Sequence, residues 1–573
     1  MRRAWLVASV VGALAAGCDA AVPAPIGLGS EGHEGPPERG GWLHIATAFD
    51  ARTLDPATGF DEVSGTVEQL VFAKLLDFDP SGKGFVPDLA TSWRTSDDGR
   101  RVTFQLRQGA LFHDGTEVRA ADIKRSIERT LHPDTPCPAS AFYERIEGYR
   151  EYVDRKAPHL AGVVVEGDYV LAIALSEPDA TLLSVLALPF MAAVCRSAGE
   201  RYDASFARQA CGAGPYRLQS WEPGRQVRVE RFDGYHDRSR PYLDGIEYSF
   251  GVPGFSQRLK FERGEIDFIR ELGESDQIRY LASPLWKDRV AWEPSRSVYA
   301  LFMNTEMAPF DNREVRRAVA SAIDRAQIVS LRPGTNRVAE RIVPPDVPGH
   351  DESPGQRFDL GRALDLMRQA GHPYDPATGR GGIPGEIPYL VNAGSFDLEA
   401  GQVIQQQLAR IGIRIRLRPV GWPAYLAQSS RRHTTVMGSD GWSADFLDPS
   451  NFFEPLFSRQ AISDEESQNR SFYASATLDE KLERARRETD PGRRLALYHE
   501  AENQVLDDAP WAVLYSTRIL DAWHPYLHGY LARQTRLAFT WIDRRARDRR
   551  SSMLSPASGR LALLPSPLGR RAP

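Results

Sequence analysis

Cysteine, histidine and acidic side chains could do chemistry in this chain, and few of them have a spacing that indicates a reaction. The four cysteines are Cys18, Cys137, Cys195 and Cys211. None of them has the Cys-x-x-Cys or Cys/His spacing of a zinc site. In an exported protein one disulfide can form among the last three, and the sequence does not choose the pair.

His113 is the histidine whose setting, Phe112-His113-Asp114-Gly115, could suggest metal binding or acid–base catalysis. A polar turn between a strand and a helix explains the same residues, and we favour it. The sequence contains no HExxH, GxxxxGKS/T or GxSxG motif. Without a recognisable nucleophile, metal site or phosphate loop, we predict that the protein is not an enzyme and carries no cofactor.

Composition indicates a globular protein and argues against several functional classes. Of 573 residues, 42% are hydrophobic and 26% are charged, which excludes wholesale disorder. Lys and Arg number 71 and Asp and Glu 76, so the net charge is −5 and the basic excess of a nucleic-acid-binding protein is missing. The mean hydropathy of −0.40 argues against a polytopic membrane protein. The length predicts more than one lobe.

Residues 1–17 are typical of an export signal, because Arg2 and Arg3 precede an apolar run too short to span a bilayer. The segment Ala15-Ala16-Gly17-Cys18 resembles a bacterial lipobox. That resemblance implies cleavage before Cys18, lipidation of Cys18 and a periplasmic or cell-envelope location on a membrane. An ordinary signal peptide with a coincidental cysteine is the alternative. Residues 18–40, rich in Pro, Gly, Ala and Glu, would form a flexible tether.

Local patterns further along the chain predict an α/β protein. Residues 398–411 have helical spacing, Gly412 is expected to end the helix, and residues 413–417 then alternate as a strand does. Residues 163–175 predict a β-hairpin. Residues 543–573 have no period and predict a disordered basic tail.

A series of short motifs runs in order through roughly residues 41–542. The motifs are Leu54-Asp55-Pro56, Val86-Pro87-Asp88-Leu89-Ala90, Ser96-Asp97-Asp98-Gly99, Phe112-His113-Asp114-Gly115-Thr116, Gly212-Ala213-Gly214-Pro215-Tyr216, Gly264-Glu265-Ile266-Asp267, Met303-Asn304-Thr305, Pro309-Phe310-Asp311 and Gly441-Trp442-Ser443-Ala444-Asp445. As an ordered series they resemble family 5 of the bacterial extracellular solute-binding proteins, the oligopeptide, dipeptide and nickel receptors of ABC importers.

The resemblance implies an α/β, type II periplasmic-binding-protein fold. Two lobes would face each other across a ligand cleft, with an extra subdomain inserted in lobe one. Lobe one would comprise residues 41–79, 202–292 and 510–542, the inserted subdomain residues 80–201, and lobe two residues 293–509. A ligand that contacts both lobes would shift the protein toward a closed state.

The resemblance also implies which residues bind the ligand. In the peptide-binding branch, the Asp of the Gly-Trp-x-x-Asp motif, here Asp445, pairs with the α-ammonium of the ligand, and Gly441 and Trp442 lie beside it. The alternative is that Asp445 only caps a turn before Asp448-Pro449. The segment Asp61-Glu62-Val63 matches the lobe-one loop that pairs with peptide backbone, and an ordinary exposed loop is the alternative.

One departure from the family bears on ligand length. Dipeptide receptors place an arginine shortly before the helix that contains Glu399, and residues 390–397 include none. Arg431, Arg432 and His433 could serve instead. The resemblance therefore favours an oligopeptide receptor over a dipeptide specialist.

We thus predict the substrate-binding lipoprotein of an ABC importer, which captures peptides and delivers them to a membrane permease. The expected partners are the peptide, the permease subunits with their ATPase, and the membrane through the lipid anchor. We expect a monomer and no nucleic-acid partner. The alternatives are a receptor for a metal chelate, haem or an oligosaccharide on the same fold, and a peptide-sensing protein that is not coupled to transport.

Overall fold

The computed structural model describes residues 36–79, 84–284, 286, 288–529 and 540–543. The predicted signal peptide, the lipidation site Cys18, the tether up to residue 35 and the tail from residue 544 lie outside the described residues. In the described part of the chain, no helix is long and apolar enough to cross a membrane.

The strands are numbered in chain order. They are β1 (Trp42–Ala46), β2 (Leu76–Phe78), β3 (Phe85–Pro87), β4 (Ala90–Thr95), β5 (Arg101–Leu106), β6 (Val163–Gly167), β7 (Val170–Ala174), β8 (Tyr216–Glu222), β9 (Gln226–Arg231), β10 (Gly245–Ser249), β11 (Phe268–Ile269), β12 (Val290–Pro294), β13 (Ser297–Met303), β14 (Asn336–Val338), β15 (Tyr374–Asp375), β16 (Arg380–Gly381), β17 (Ile387–Asn392), β18 (Ile415–Val420), β19 (Met437–Ser443), β20 (Trp511–Trp523), β21 (Leu527–His528) and β22 (Trp541–Ile542).

The α-helices are numbered in the same way. They are α1 (Glu62–Val71), α2 (Ala120–Leu131), α3 (Tyr149–Val153), α4 (Leu182–Leu186), α5 (Gly254–Arg263), α6 (Glu274–Ala282), α7 (Arg313–Ala322), α8 (Arg325–Val329), α9 (Leu360–Gln369), α10 (Phe396–Ala409), α11 (Trp422–Ser429), α12 (Ser450–Phe457), α13 (Ala476–Arg487) and α14 (Pro491–Asp508). Short 3-10 helices cover Ser140–Tyr143, Pro189–Met191, Arg196–Ala198, Ala204–Gln209 and Arg459–Ala461.

A four-stranded sheet has the order β1-β10-β9-β8. β1 and β10 are parallel, and their register places Trp42 opposite Gly245 and Ala46 opposite Ser249. Leu43 in β1 is fully buried and packs in the same apolar cluster as residues of α1. Because β1 and β10 run the same way, their carboxyl ends meet at one edge of the sheet.

An eight-stranded sheet has the order β11-β20-β13-β19-β17-β18, and β12 and β14 also pair with β20. β17 is parallel to both β18 and β19, so these three strands also end at a common edge. The long strand β20 pairs with β13 and β14 over its first part and with β12 and β11 over its last part. β20 therefore joins two regions of the molecule.

The predicted unit of helix, glycine and strand is present as α10, Gly412 and β18. Gly412 has φ of +78°, a conformation that glycine adopts without strain. Ile404 and Leu408 on the helix and Ile413 and Ile415 after the glycine are buried in one cluster. The sheet and helix therefore share a core, as the period of their apolar residues indicates.

A third sheet, of order β4-β5-β7-β6, is antiparallel and has its own apolar cluster. The cluster joins Phe104 in β5 to Ile123 in α2, and it also receives Phe446 from much later in the chain. The hairpin predicted at residues 163–175 is confirmed as β6 and β7. The assignment of residues 80–201 to an inserted subdomain, like the other domain boundaries, stays a prediction.

The disulfide that the sequence left open joins Cys195 to Cys211, and Cys137 is a free, half-buried thiol. The two bridged Cα atoms are 5.4 Å apart. The backbone N–H of Cys195 also donates to the carbonyl of Cys211 at 3.0 Å. The bridge fastens the chain that leaves the third sheet to the segment that enters β8.

Candidate functional site

The first cavity, named here the β1 cavity, lies at the carboxyl ends of β1 and β10 and has a volume of about 980 Å³. Residues 45–50, the first turn of α1 and the starts of α5 and α6 form its walls. In α/β sheets, ligands bind in crevices outside the carboxyl ends of the strands. The volume lies near the upper end of the range for small-molecule sites.

Asp61, Glu62 and Val63 all line the β1 cavity. The carboxylate of Asp61 caps α1, because it accepts from the Ser64 backbone N–H at 2.9 Å and from the Ser64 hydroxyl at 2.6 Å. The Glu62 carboxylate pairs with Arg270. The N–H groups in the first turn of a helix have no intrahelical acceptor. Glu62 and Val63 can therefore offer backbone donors to a ligand.

The second cavity, named here the β19 pocket, has a volume of about 300 Å³ and lies toward the carboxyl ends of β17 and β19. Gly441 and Trp442, both predicted from the sequence, line it. Other lining side chains are Tyr299, Asp397, Trp422, Tyr425, Asp440 and Arg470. This cavity therefore combines aromatic rings with acidic groups and one base.

The pKa of Tyr299, which lines the β19 pocket, is raised by one acid from each cavity. Burial, followed by the Asp397 carboxylate, raises the pKa of Tyr299, and Glu271 raises it further. Glu271 lines the β1 cavity, whereas Asp397 lines the β19 pocket. The Tyr299 ring itself stacks on Tyr515 with their centroids 4.9 Å apart.

Asp445 lies beside the β19 pocket without lining it, and Asn451 connects the two. The Asn451 side chain donates to the Asp445 carboxylate at 3.1 Å, and its amide oxygen accepts from the Asp445 N–H at 2.9 Å and from the Trp442 indole at 3.1 Å. Burial raises the pKa of Asp445, and the Asn451 bond opposes this rise. None of the ion pairs among the described residues includes Asp445.

The three basic residues suggested as carboxylate partners lie outside both cavities. Arg432 pairs with Glu306 at 2.6 Å, His433 lies 3.6 Å from the same carboxylate, and Arg431 pairs with Glu465 at 2.9 Å. Their suggested contact with the ligand stays a prediction. In the structure the charges of Arg431 and Arg432 are already matched by these acids.

The sequence did not single out Asp397, Asp440 and Arg470, which the fold brings to the β19 pocket. A usable signal existed for two of them. Asp440 directly precedes Gly441, and Asp397 follows a strand at the first turn of α10. Arg470 has no local signal, because only tertiary packing places it beside Asp440.

His113 has a structural setting, as the sequence favoured. One ring nitrogen lies 3.1 Å from the Gly214 carbonyl, and the other accepts the Gly212 N–H at 3.3 Å. The ring also meets Phe232 edge-on with the centroids 4.8 Å apart. Burial lowers the pKa of His113 to about 4. The imidazole is therefore held neutral between backbone groups.

Comparison with known proteins assigns the family. The model of bacterial extracellular solute-binding proteins, family 5 (middle region), matches residues 84–464. The chain belongs to this family. A family-5 relative, the glutathione-binding protein GsiB of Salmonella typhi, is 27% identical over 491 residues, which are 85% of this chain and 91% of that protein.

Solved structures confirm the predicted fold class of this family-5 protein. The clavulanic acid biosynthesis oligopeptide binding protein 2 has a TM-score of 0.79 at 22% identity, covering 88% of this chain and 96% of that one. The periplasmic binding protein DppA from Helicobacter pylori, in complex with peptide STSA, has a TM-score of 0.71 at 25% identity, covering 88% and 98%. The chain thus has the two-lobed, type II periplasmic-binding-protein fold.

Proposed function

We propose that this chain is the substrate-binding lipoprotein of an ABC importer, which captures peptides between two lobes for delivery to a permease and its ATPase. In this proposal it catalyses no reaction and acts as a monomer. Cys18 carries the lipid that holds it to the membrane in the periplasm. Membership of the solute-binding family supports the proposal.

The class of ligand is inferred from the relatives and from the size of the cleft. One relative is named for glutathione, which is a small peptide, and one structural neighbour holds the peptide STSA. The β1 cavity of about 980 Å³ offers room for several residues, in line with an oligopeptide. Backbone donors at Glu62 and Val63 would bind peptide carbonyls.

The observation that carries the proposal is the setting of Asp445. It is a half-buried carboxylate with one side-chain partner, Asn451, and it stands beside the β19 pocket. An ammonium that leaves water for a closed cleft must gain a charged partner, because a buried unpaired charge is costly. Asp445 would supply that partner to the α-ammonium of a peptide.

Calorimetry on the Asp445→Asn variant tests this role. The substitution keeps the shape and removes the charge, so it should weaken binding of glutathione or Ser-Thr-Ser-Ala by about 2–5 kcal/mol. N-acetylated Ser-Thr-Ser-Ala should bind the wild type weakly and be little affected by the substitution, since its ammonium is gone.

Asp233→Asn is the matched control, because its side chain is 90% exposed and lines neither cavity. It should bind both peptides as the wild type does. If Asp445→Asn also behaves like the wild type, Asp445 only caps a turn. If the wild type binds no free-amine peptide, the peptide function is wrong.

A further inference from the structure

The β19 pocket has an aromatic lining. Tyr299, Trp422, Tyr425 and Trp442 all border it. Trp422 and Tyr425 are stacked, with their centroids 5.5 Å apart and their planes at 7°, and Trp422 is still 53% exposed. The faces of aromatic rings attract cations, and cages of such rings bind ammonium groups. The lining is therefore suited to a cation.

The charges of the side chains that line the same pocket do not sum to zero. Asp440 forms an ion pair with Arg470 and accepts the Gly441 N–H at 2.9 Å through the same oxygen. Asp440 is only 6% exposed, and its other oxygen accepts no hydrogen bond from the described residues. Once Asp440 and Arg470 are paired, Asp397 remains as an excess negative charge in the lining.

Asp397 has hydrogen bonds and no bound cation among the described residues. Its carboxylate accepts from the Ser395 hydroxyl at 3.0 Å. Arg332, the base whose charge lowers the pKa of Asp397, is itself held by Glu274 at 2.9 Å and by Glu399 at 3.4 Å. A carboxylate in this setting gains from a cation that enters the pocket, because low solvent access strengthens the attraction.

We propose that the β19 pocket binds a cationic side chain of the ligand, an ammonium or guanidinium group that lies among the aromatic rings and pairs with Asp397. The inference rests on the proposed peptide-binding function. It adds a second anchor for a positive group of the ligand, beside the one that Asp445 would provide for the α-ammonium. Ligands that carry a lysine or arginine residue would then be preferred over uncharged ones of the same shape.

The test compares arginine with citrulline, which has nearly the same shape and no charge. The tripeptides Arg-Ala-Ala, Ala-Arg-Ala and Ala-Ala-Arg and their citrulline counterparts are titrated by calorimetry. N-acetyl-arginine amide and N-acetyl-citrulline amide, which lack an α-ammonium, are titrated by tryptophan fluorescence. For the wild type, the arginine tripeptide should bind at least 10-fold tighter than its citrulline counterpart at one or more of the three positions. N-acetyl-arginine amide should likewise bind tighter than N-acetyl-citrulline amide.

Two variants locate the effect. Asp397→Asn removes the charge, and Trp422→Ala removes an exposed ring whose loss leaves the core intact. Either should reduce the preference for arginine to threefold or less, while the affinity for the citrulline peptides is unchanged. Asp233→Asn, on the exposed surface, should leave the preference as it is.

Equal binding of arginine and citrulline by the wild type would overturn the inference. So would an Asp397→Asn variant that weakens both members of each pair alike, since that indicates a structural role for Asp397. Failure of the peptide function gives a different result. In that case no tripeptide binds, and a preference for the capped arginine that depends on Asp397 would still support the pocket.

Discussion

At the scale of the residue, buried polar groups decide how stability depends on pH, and His113 is the clearest case. Its neutral ring bridges two backbone groups, and burial lowers its pKa from 6.5 to about 4. As the pH falls from 6.5 to 4, His113 becomes protonated in the unfolded chain but stays neutral in the native state. The free energy of unfolding should therefore drop by about 3 kcal/mol over this range from His113 alone.

Urea unfolding of the wild type and of His113→Gln between pH 7.5 and 4 measures this contribution. Glutamine can keep a donor and an acceptor for Gly214 and Gly212 and does not titrate. Its profile should be flatter than that of the wild type below pH 6.5, even if its stability at pH 7.5 is lower. Parallel profiles would mean that His113 does not resist protonation in the native state.

At the scale of the element, the end of α10 depends on a glycine that has no room for a side chain. At Gly412, φ is +78°, and an added Cβ would lie 2.5 Å from the Tyr374 ring and 2.7 Å from the Gly382 Cα. Gly385 has a similar φ of +83° with nothing within 4 Å. Both alanine variants bear the strain of a positive φ, about 1–2 kcal/mol. Gly412→Ala should lose about 1–3 kcal/mol more through overpacking.

Denaturant midpoints of Gly412→Ala and Gly385→Ala, at equal slope, give this difference directly. Since the two positions share a backbone conformation, the comparison separates the steric effect from the conformational one. Equal losses of unfolding free energy would show that the turn after α10 adjusts to a methyl group. The close packing around Gly412 would then contribute nothing to the stability difference.

Elements of this kind could be predicted from the sequence because their signals are local. The helix, Gly412 and the strand that follows span a few turns of chain, and apolar period alone distinguishes them. The hairpin of β6 and β7 is local in the same sense. The order of the short motifs indicated the family, and the resemblance to that family pointed to Gly441 and Trp442, which line the β19 pocket.

The remainder of the site depends on contacts between distant positions. Arg470 meets Asp440 across 30 residues, and Asp397 meets Tyr515 across 118. No periodicity encodes such pairs, since they exist only after the sheets have assembled. The disulfide was undetermined for the same reason, because the spacing of three cysteines does not say which two come within bonding distance.

At the scale of the whole molecule, the third sheet and its helices contact the region that bears Asp445. Phe446 meets Phe142 edge-on, with the centroids 5.8 Å apart. The Ala180 N–H donates to the Arg486 carbonyl at 2.9 Å. Because Phe446 directly follows Asp445, these contacts connect a distant part of the chain to the proposed ligand anchor.

Arg486 is the charged centre of that contact, and its neighbour Arg487 provides a matched control. The Arg486 guanidinium lies 3.0 Å from Asp179, whose side chain is only 3% exposed. Arg486→Met should lower the free energy of unfolding by about 3–5 kcal/mol, because Asp179 is left as a buried charge without its partner. Arg487 pairs with Glu177 at 2.6 Å, but both side chains are more than 40% exposed. Arg487→Met should therefore cost at most about 1 kcal/mol.

Denaturant unfolding of the Arg486→Met and Arg487→Met variants compares the two losses, and adding Asp179→Asn to Arg486→Met should restore part of the larger one. Equal effects of the two arginine variants would mean that the contact is held by its apolar and backbone parts alone.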